Sequence, residues 1–162
     1  MNPIHPALAP LAQAAKEMPF EDCSAALREA LRAPVWLRPE HRVGDPNRYM
    51  RHLLYVDPGN QFVITAITWL PGQVSAVHGH QVWCAFGIAE GELTEEQFSD
   101  SHGKLNYLKT TVYGPGELAA QDHDCKAIHR VSNRSRSTIV SLHVYGVSAD
   151  RLTTGINRIY SS

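Results

Sequence analysis

Pro71-Gly-Gln-Val-Ser-Ala-Val-His78-Gly-His80-Gln-Val-Trp83-Cys84-Ala-Phe-Gly-Ile-Ala-Glu-Gly91 holds two histidines two residues apart. Residues i and i+2 of a β-strand point to one face. An extended chain here therefore aims both imidazoles at one spot. Imidazole nitrogen suits Fe, Zn, Cu and Ni. Two histidines do not complete a site, so a third ligand is required. Pro71-Gly72 marks a turn before the pair. Trp83 to Glu90 is mostly apolar, and Gly91 can end that run.

Further along, Tyr113-Gly-Pro-Gly116 marks a second turn, and His129 follows within Ala127-Ile-His-Arg-Val131. A turn leads to His-x-His, and a later turn leads to a single His. This layout resembles the two-motif pattern of the cupin superfamily. There the motifs lie on facing strands of a small β-barrel and their histidines converge on one metal. A Glu usually follows the second His of the first motif. This chain has Cys84 at that place. A thiolate ligand there would favour Zn.

The rest of the chain agrees with an all-β body. From Tyr49 onward, short segments rich in β-branched and aromatic residues alternate with Gly, Pro, Asn and Asp turns. Strands are expected at 49–56, 61–70, 74–80, 83–90, 92–99, 105–112, 117–121, 127–132, 137–145 and 151–160. That series predicts a sandwich or barrel. Before it, Leu8, Leu11 and Ala15, then Cys23, Leu27 and Leu31, recur at helical spacing. The expected architecture is an all-β cupin, a small jelly-roll barrel, with short N-terminal helices. One domain spans 1–162, with a helical segment at 1–40 and the barrel at 47–162.

Composition excludes several classes. Of 162 residues 19% are charged and the net charge is −1, so nothing electrostatic calls for nucleic acid or an anionic membrane. No apolar run reaches the roughly 18 residues of a membrane span, and the first residues lack the basic-then-apolar order of a signal peptide. Cys23, Cys84 and Cys125 are an odd number at wide spacing, which argues for a reducing compartment, and the missing targeting signals make the cytoplasm the expected location. No phosphate-cradling glycine loop and no Gly-x-Ser-x-Gly is present. The remaining histidines (His5, His41, His52, His102, His123) read as surface or loop residues.

Ser141-Leu-His-Val-Tyr145 puts Ser141, His143 and Tyr145 at alternate positions, hence on one face of a strand. They are either ordinary inward residues of a barrel or a hydroxyl–imidazole–phenol relay. Together with Tyr49-x-Arg51, Trp69, His78-x-His80, Cys84 with Gly91 seven residues on, and Ile128-His-Arg-Val-x-Asn133, this segment resembles the cysteine dioxygenase family of thiol dioxygenases.

That resemblance implies a mononuclear non-haem Fe(II) held by His78, His80 and His129. It implies Arg51 as the clamp for a substrate carboxylate, with Tyr49 and Trp69 in the substrate pocket and Trp83 helping to shape it. Tyr145 would lie beside the iron, oriented by His143 and Ser141. Cys84 would lie near Tyr145, where animal-type members form a Cys–Tyr thioether. The interval from His80 to Cys84 is one residue shorter than in those enzymes, and Gly79 replaces a residue that is often Asp. The implied reaction oxidises L-cysteine with O₂ to cysteine sulfinic acid. Both oxygen atoms end on sulfur, with no organic cosubstrate. Relatives acting on 3-mercaptopropionate tend to have Gln at the position of Arg51. A mercapto-acid dioxygenase, a non-catalytic metal-binding cupin and a Zn or Mn isomerase are the alternatives. The expected partners are a small thiol and O₂, in a monomer or weak homo-oligomer.

Overall fold

The structure, a computed structural model, describes residues 3–17, 21–121 and 127–160. Cys125 and His123 lie outside them. Two helices, α1 (Ala9–Glu17) and α2 (Glu21–Arg32), precede ten strands: β1 (Met50–Val56), β2 (Val63–Trp69), β3 (His78–His80), β4 (Cys84–Glu90), β5 (Leu93–Ser101), β6 (Lys104–Tyr113), β7 (Leu118–Gln121), β8 (Ile128–Ser132), β9 (Ile139–Tyr145) and β10 (Asn157–Ile159). They form two five-stranded sheets, ordered β1-β2-β9-β4-β7 and β10-β3-β8-β5-β6, with antiparallel pairing throughout. Among the described residues no helix is long and apolar enough to cross a membrane.

The period-2 rule explains the layering. Along β9, Val140, Leu142 and Val144 face the helices, while Ser141, His143 and Tyr145 face the opposite sheet. Both faces are covered, so the whole strand is buried. The helices close the outer face with the residues their spacing singled out. Leu8, Leu11, Ala15, Cys23, Leu27 and Leu31 are all buried in one cluster with Ile64, Ala85 and Leu142. Each fully buried Leu contributes about 1.5–3 kcal/mol relative to exposure.

Two expected strands are shorter than their composition suggested. In 74–80 only His78–His80 pairs regularly. Upstream, the Ser75 hydroxyl accepts from Val131 N–H, replacing a ladder bond with a side-chain bond. In 151–160 only Asn157–Ile159 is a strand, because its partner β3 offers three residues. A 3₁₀ turn at Ala149–Arg151 takes up the chain before it.

Glycine is required where α2 crosses β4. A Cβ on Gly87 would stand 2.3 Å from Leu31 Cδ1 and 2.8 Å from the Glu117 carbonyl oxygen. The backbone carbonyl cannot rotate away, so overpacking is unavoidable. Gly87→Ala is expected to destabilise by about 1–3 kcal/mol, read as a lowered thermal midpoint by circular dichroism. An unchanged midpoint would mean that α2 does not press on β4.

Candidate metal and substrate site

β3 and β8 pair antiparallel with His78 directly opposite His129, and His80 shares their face two residues on. Their candidate ligand atoms all lie within 4.8 Å of one another. All three rings are buried. Cys84 is not in this group. Burial pushes its thiol pKa well up.

The hydrogen bonds fix where the lone pairs point. His78 Nδ1 lies 2.9 Å from the Ala76 carbonyl oxygen, which only accepts, so Nδ1 carries the hydrogen. His129 Nδ1 lies 2.6 Å from Glu95 Oε1, so its hydrogen is likewise on Nδ1. The two far nitrogens, Nε2 of His78 and Nε2 of His129, are 3.1 Å apart, close enough to share a proton in a hydrogen bond or to bind one metal ion. Burial, with His129 adding to it, pushes the His78 pKa down to about 4. A metal ion fits. Two imidazoles bound cis to one ion at about 2.1 Å would put their nitrogens about 3 Å apart.

Glu95 is fully buried. Burial alone would favour its neutral acid, but bonds from His129, from Tyr113 Oη (3.0 Å) and from Gln97 Nε2 (3.0 Å) hold its pKa below the ordinary carboxylate value. This carboxylate was missed in the sequence, where it lies within the strand expected at 92–99 and was not singled out. The alternation Leu93-x-Glu95-x-Gln97 was the available signal, since Leu93 is buried and marks the inward parity.

The facing sheet supplies the other wall. Ser141 Oγ accepts from Trp69 Nε1 at 3.0 Å and lies 2.8 Å from His143 Nε2 and 3.4 Å from the Ile67 carbonyl oxygen. His143 Nδ1 lies 3.0 Å from Tyr145 Oη, so hydroxyl, imidazole and phenol form one hydrogen-bonded row. His143 is held neutral, its pKa pushed well down by burial and then by Arg51. Burial pushes the Tyr145 pKa well up, Cys84 adds to it, and Arg51 opposes it. Phe86 stacks on His143 at 5.2 Å and fixes the ring plane.

Trp69 also stacks on Tyr49 at 4.5 Å, and the Arg51 guanidinium lies over the Tyr49 ring at 5.2 Å. Arg51 Nε is buried without a hydrogen-bond partner among the described residues. An orphaned guanidinium N–H is costly unless an acceptor arrives. Arg51, Tyr49, Trp69, His143, Tyr145 and the three histidines line one cavity of about 360 Å³ including its mouth. Asn157 on β10, directly opposite His80, also lines it and was not foreseen.

Cys84 faces Tyr145 in register across β4 and β9, so the short interval after His80 does not carry it away from the tyrosine. Trp83 does not shape the pocket. One residue out of phase with Cys84, it packs toward the helices, and its indole covers Gly146. Arg130 and Asn133 serve the scaffold: Arg130 binds Glu96 at 2.8 Å, and Asn133 Nδ2 donates to the Trp69 and Ser137 carbonyls.

Among solved structures, the chain is similar to the protein TT1209 from Thermus thermophilus (20% identity, 68% of this chain and 96% of that one, TM-score 0.53). It is also similar to an uncharacterized conserved protein with a double-stranded β-helix domain from Klebsiella pneumoniae subsp. pneumoniae MGH 78578 (14% identity, 76% and 93%, TM-score 0.50). At these identities the likenesses speak to the fold alone, and the fold is the all-β cupin barrel with short N-terminal helices. Family membership is narrower: residues 24–153 match the sequence profile of cysteine dioxygenase type I, and the chain belongs to that family.

Proposed function

We propose that the protein is a thiol dioxygenase that oxidises L-cysteine to cysteine sulfinic acid on Fe(II) held by His78, His80 and His129. The observation that carries this reading is the pairing, in one small cavity, of a three-imidazole cluster with a guanidinium whose buried Nε lacks a partner. Such a cavity suits a ligand with a metal-binding group at one end and a carboxylate at the other. A small amino-acid thiol has both. Bound iron would supply the redox chemistry that lets ground-state dioxygen react with a thiolate. The balance is complete without a reductant: sulfur gives four electrons in passing from thiolate to sulfinate, and dioxygen takes up four.

The remaining roles belong to this chain's own residues. Arg51 receives the substrate carboxylate, its fork matching two oxygens, and the Tyr49–Trp69 stack holds that fork in place. Tyr145 presents its hydroxyl toward the reacting groups, held by the contact between its oxygen and His143 Nδ1. His143 remains a neutral link, and Ser141 with Trp69 holds its far nitrogen. Cys84 opposite Tyr145 favours a thioether from Sγ to the phenol ring. Its formation removes the thiol hydrogen and one ring hydrogen, with dioxygen accepting the two electrons and two protons.

Protein loaded anaerobically with Fe(II) is expected to consume one O₂ per L-cysteine and yield a sulfinate by mass. No uptake with L-cysteine or 3-mercaptopropionate, despite bound iron, would sink the reading; faster turnover of 3-mercaptopropionate would reassign the substrate. Arg51→Ala should lower kcat/KM by about 10²–10³-fold, the scale of a lost buried charge pair, and Arg51→Lys should rescue little because a point charge lacks the fork. Intact mass after turnover should show the loss of two hydrogens in wild type and none in Cys84→Ser. A wild-type mass equal to that calculated from its sequence would remove the crosslink.

A further inference from the structure

We infer that Glu95 is the positioning residue of the three-histidine cluster: its carboxylate orients His129 and supplies, from behind that ring, the negative charge that makes the cluster bind a divalent cation. This rests on the metal reading above and goes beyond it, because Glu95 lies outside the cavity wall.

Three neutral imidazoles bring no charge to a dication. No carboxylate is among the described residues that line the cavity, and Arg51 adds a further positive charge to the same wall. Left there, the site would gather positive charge at low dielectric. Glu95 offsets this through a single short contact, 2.6 Å from His129 Nδ1. A carboxylate behind an imidazole fixes its tautomer and raises the basicity of the far nitrogen. The far nitrogen is Nε2, which faces His78 Nε2.

The surroundings of Glu95 are built to keep it in place. Oε1 takes His129, and Oε2 takes Tyr113 Oη and Gln97 Nε2. Tyr113 comes from β6 and Gln97 from β5, while His129 is on β8, so three neighbouring strands converge on one carboxylate. Its neighbour Glu96 points the other way and pairs with Arg130 and Arg134 at the surface. The two adjacent glutamates thus have separate tasks, set by strand parity.

The test is anaerobic titration of Fe(II), in competition with a chelator, into wild type, Glu95→Gln and Tyr113→Phe, alongside melting of each metal-free protein. Gln keeps the acceptor for His129 and removes the charge. Glu95→Gln is expected to weaken Fe(II) binding about 10–100-fold, with metal-free melting close to wild type, and Tyr113→Phe to weaken it by a smaller factor. Fe(II) affinity of Glu95→Gln within about twofold of wild type would overturn the inference, as would a loss matched by an equal loss of metal-free stability. If Glu95→Gln does not fold, the Tyr113→Phe, Gln97→Leu double variant decides: reduced affinity supports the role, unchanged affinity refutes it. Wild type that binds no Fe(II) would remove the metal reading itself, an outcome distinct from a wild type that binds and a Gln variant that binds equally well.

Discussion

Two imidazole nitrogens 3.1 Å apart need a proton or a metal ion between them. Both outer nitrogens are committed, one to the Ala76 carbonyl and one to Glu95. Much of the second sheet serves this arrangement. The β3–β8 register brings His78 opposite His129. The β8–β5–β6 order brings Glu95, Gln97 and Tyr113 behind them. Burial pushes the His78 pKa down, because an imidazolium in this interior is poorly solvated. The three imidazoles together offer a donor set for a metal ion.

The first sheet meets this cluster with a different kind of order. Its inward residues are chained: Arg51 over Tyr49, Tyr49 on Trp69, Trp69 to Ser141, Ser141 to His143, His143 to Tyr145. Moving any link would shift both the guanidinium and the phenol. The carboxylate end and the reacting end of a bound substrate would therefore be held at a fixed spacing by one continuous network. Placing such a network on strands, with both faces covered, gives it the rigidity that a loop would lack.

What could be read in the sequence was what obeys a local period. His78-x-His80 and Ser141-x-His143-x-Tyr145 each follow the alternation of a single strand, so their shared face needs no knowledge of the partner strand. The helical faces of Leu8 to Leu31 were legible for the same reason at a different period. Glu95 was not, because its role arises between strands: residues from three strands meet at it, and the alternation from Leu93 marks only which glutamate is inside, not what it meets there. Trp83 was misplaced by proximity to the motif, although one step of alternation from Cys84 sends it outward. The ends of β3 and β10 were overextended because strand length depends on the partner's length.

The central claim concerns where a metal sits, and anomalous diffraction at the iron edge from crystals grown or soaked anaerobically with Fe(II) tests it most directly. One anomalous peak between the imidazoles of His78, His80 and His129, with His129 still bonded to Glu95, is the predicted result. No peak at that position in crystals that carry iron elsewhere, or a peak with Cys84 Sγ among its ligands, would contradict it.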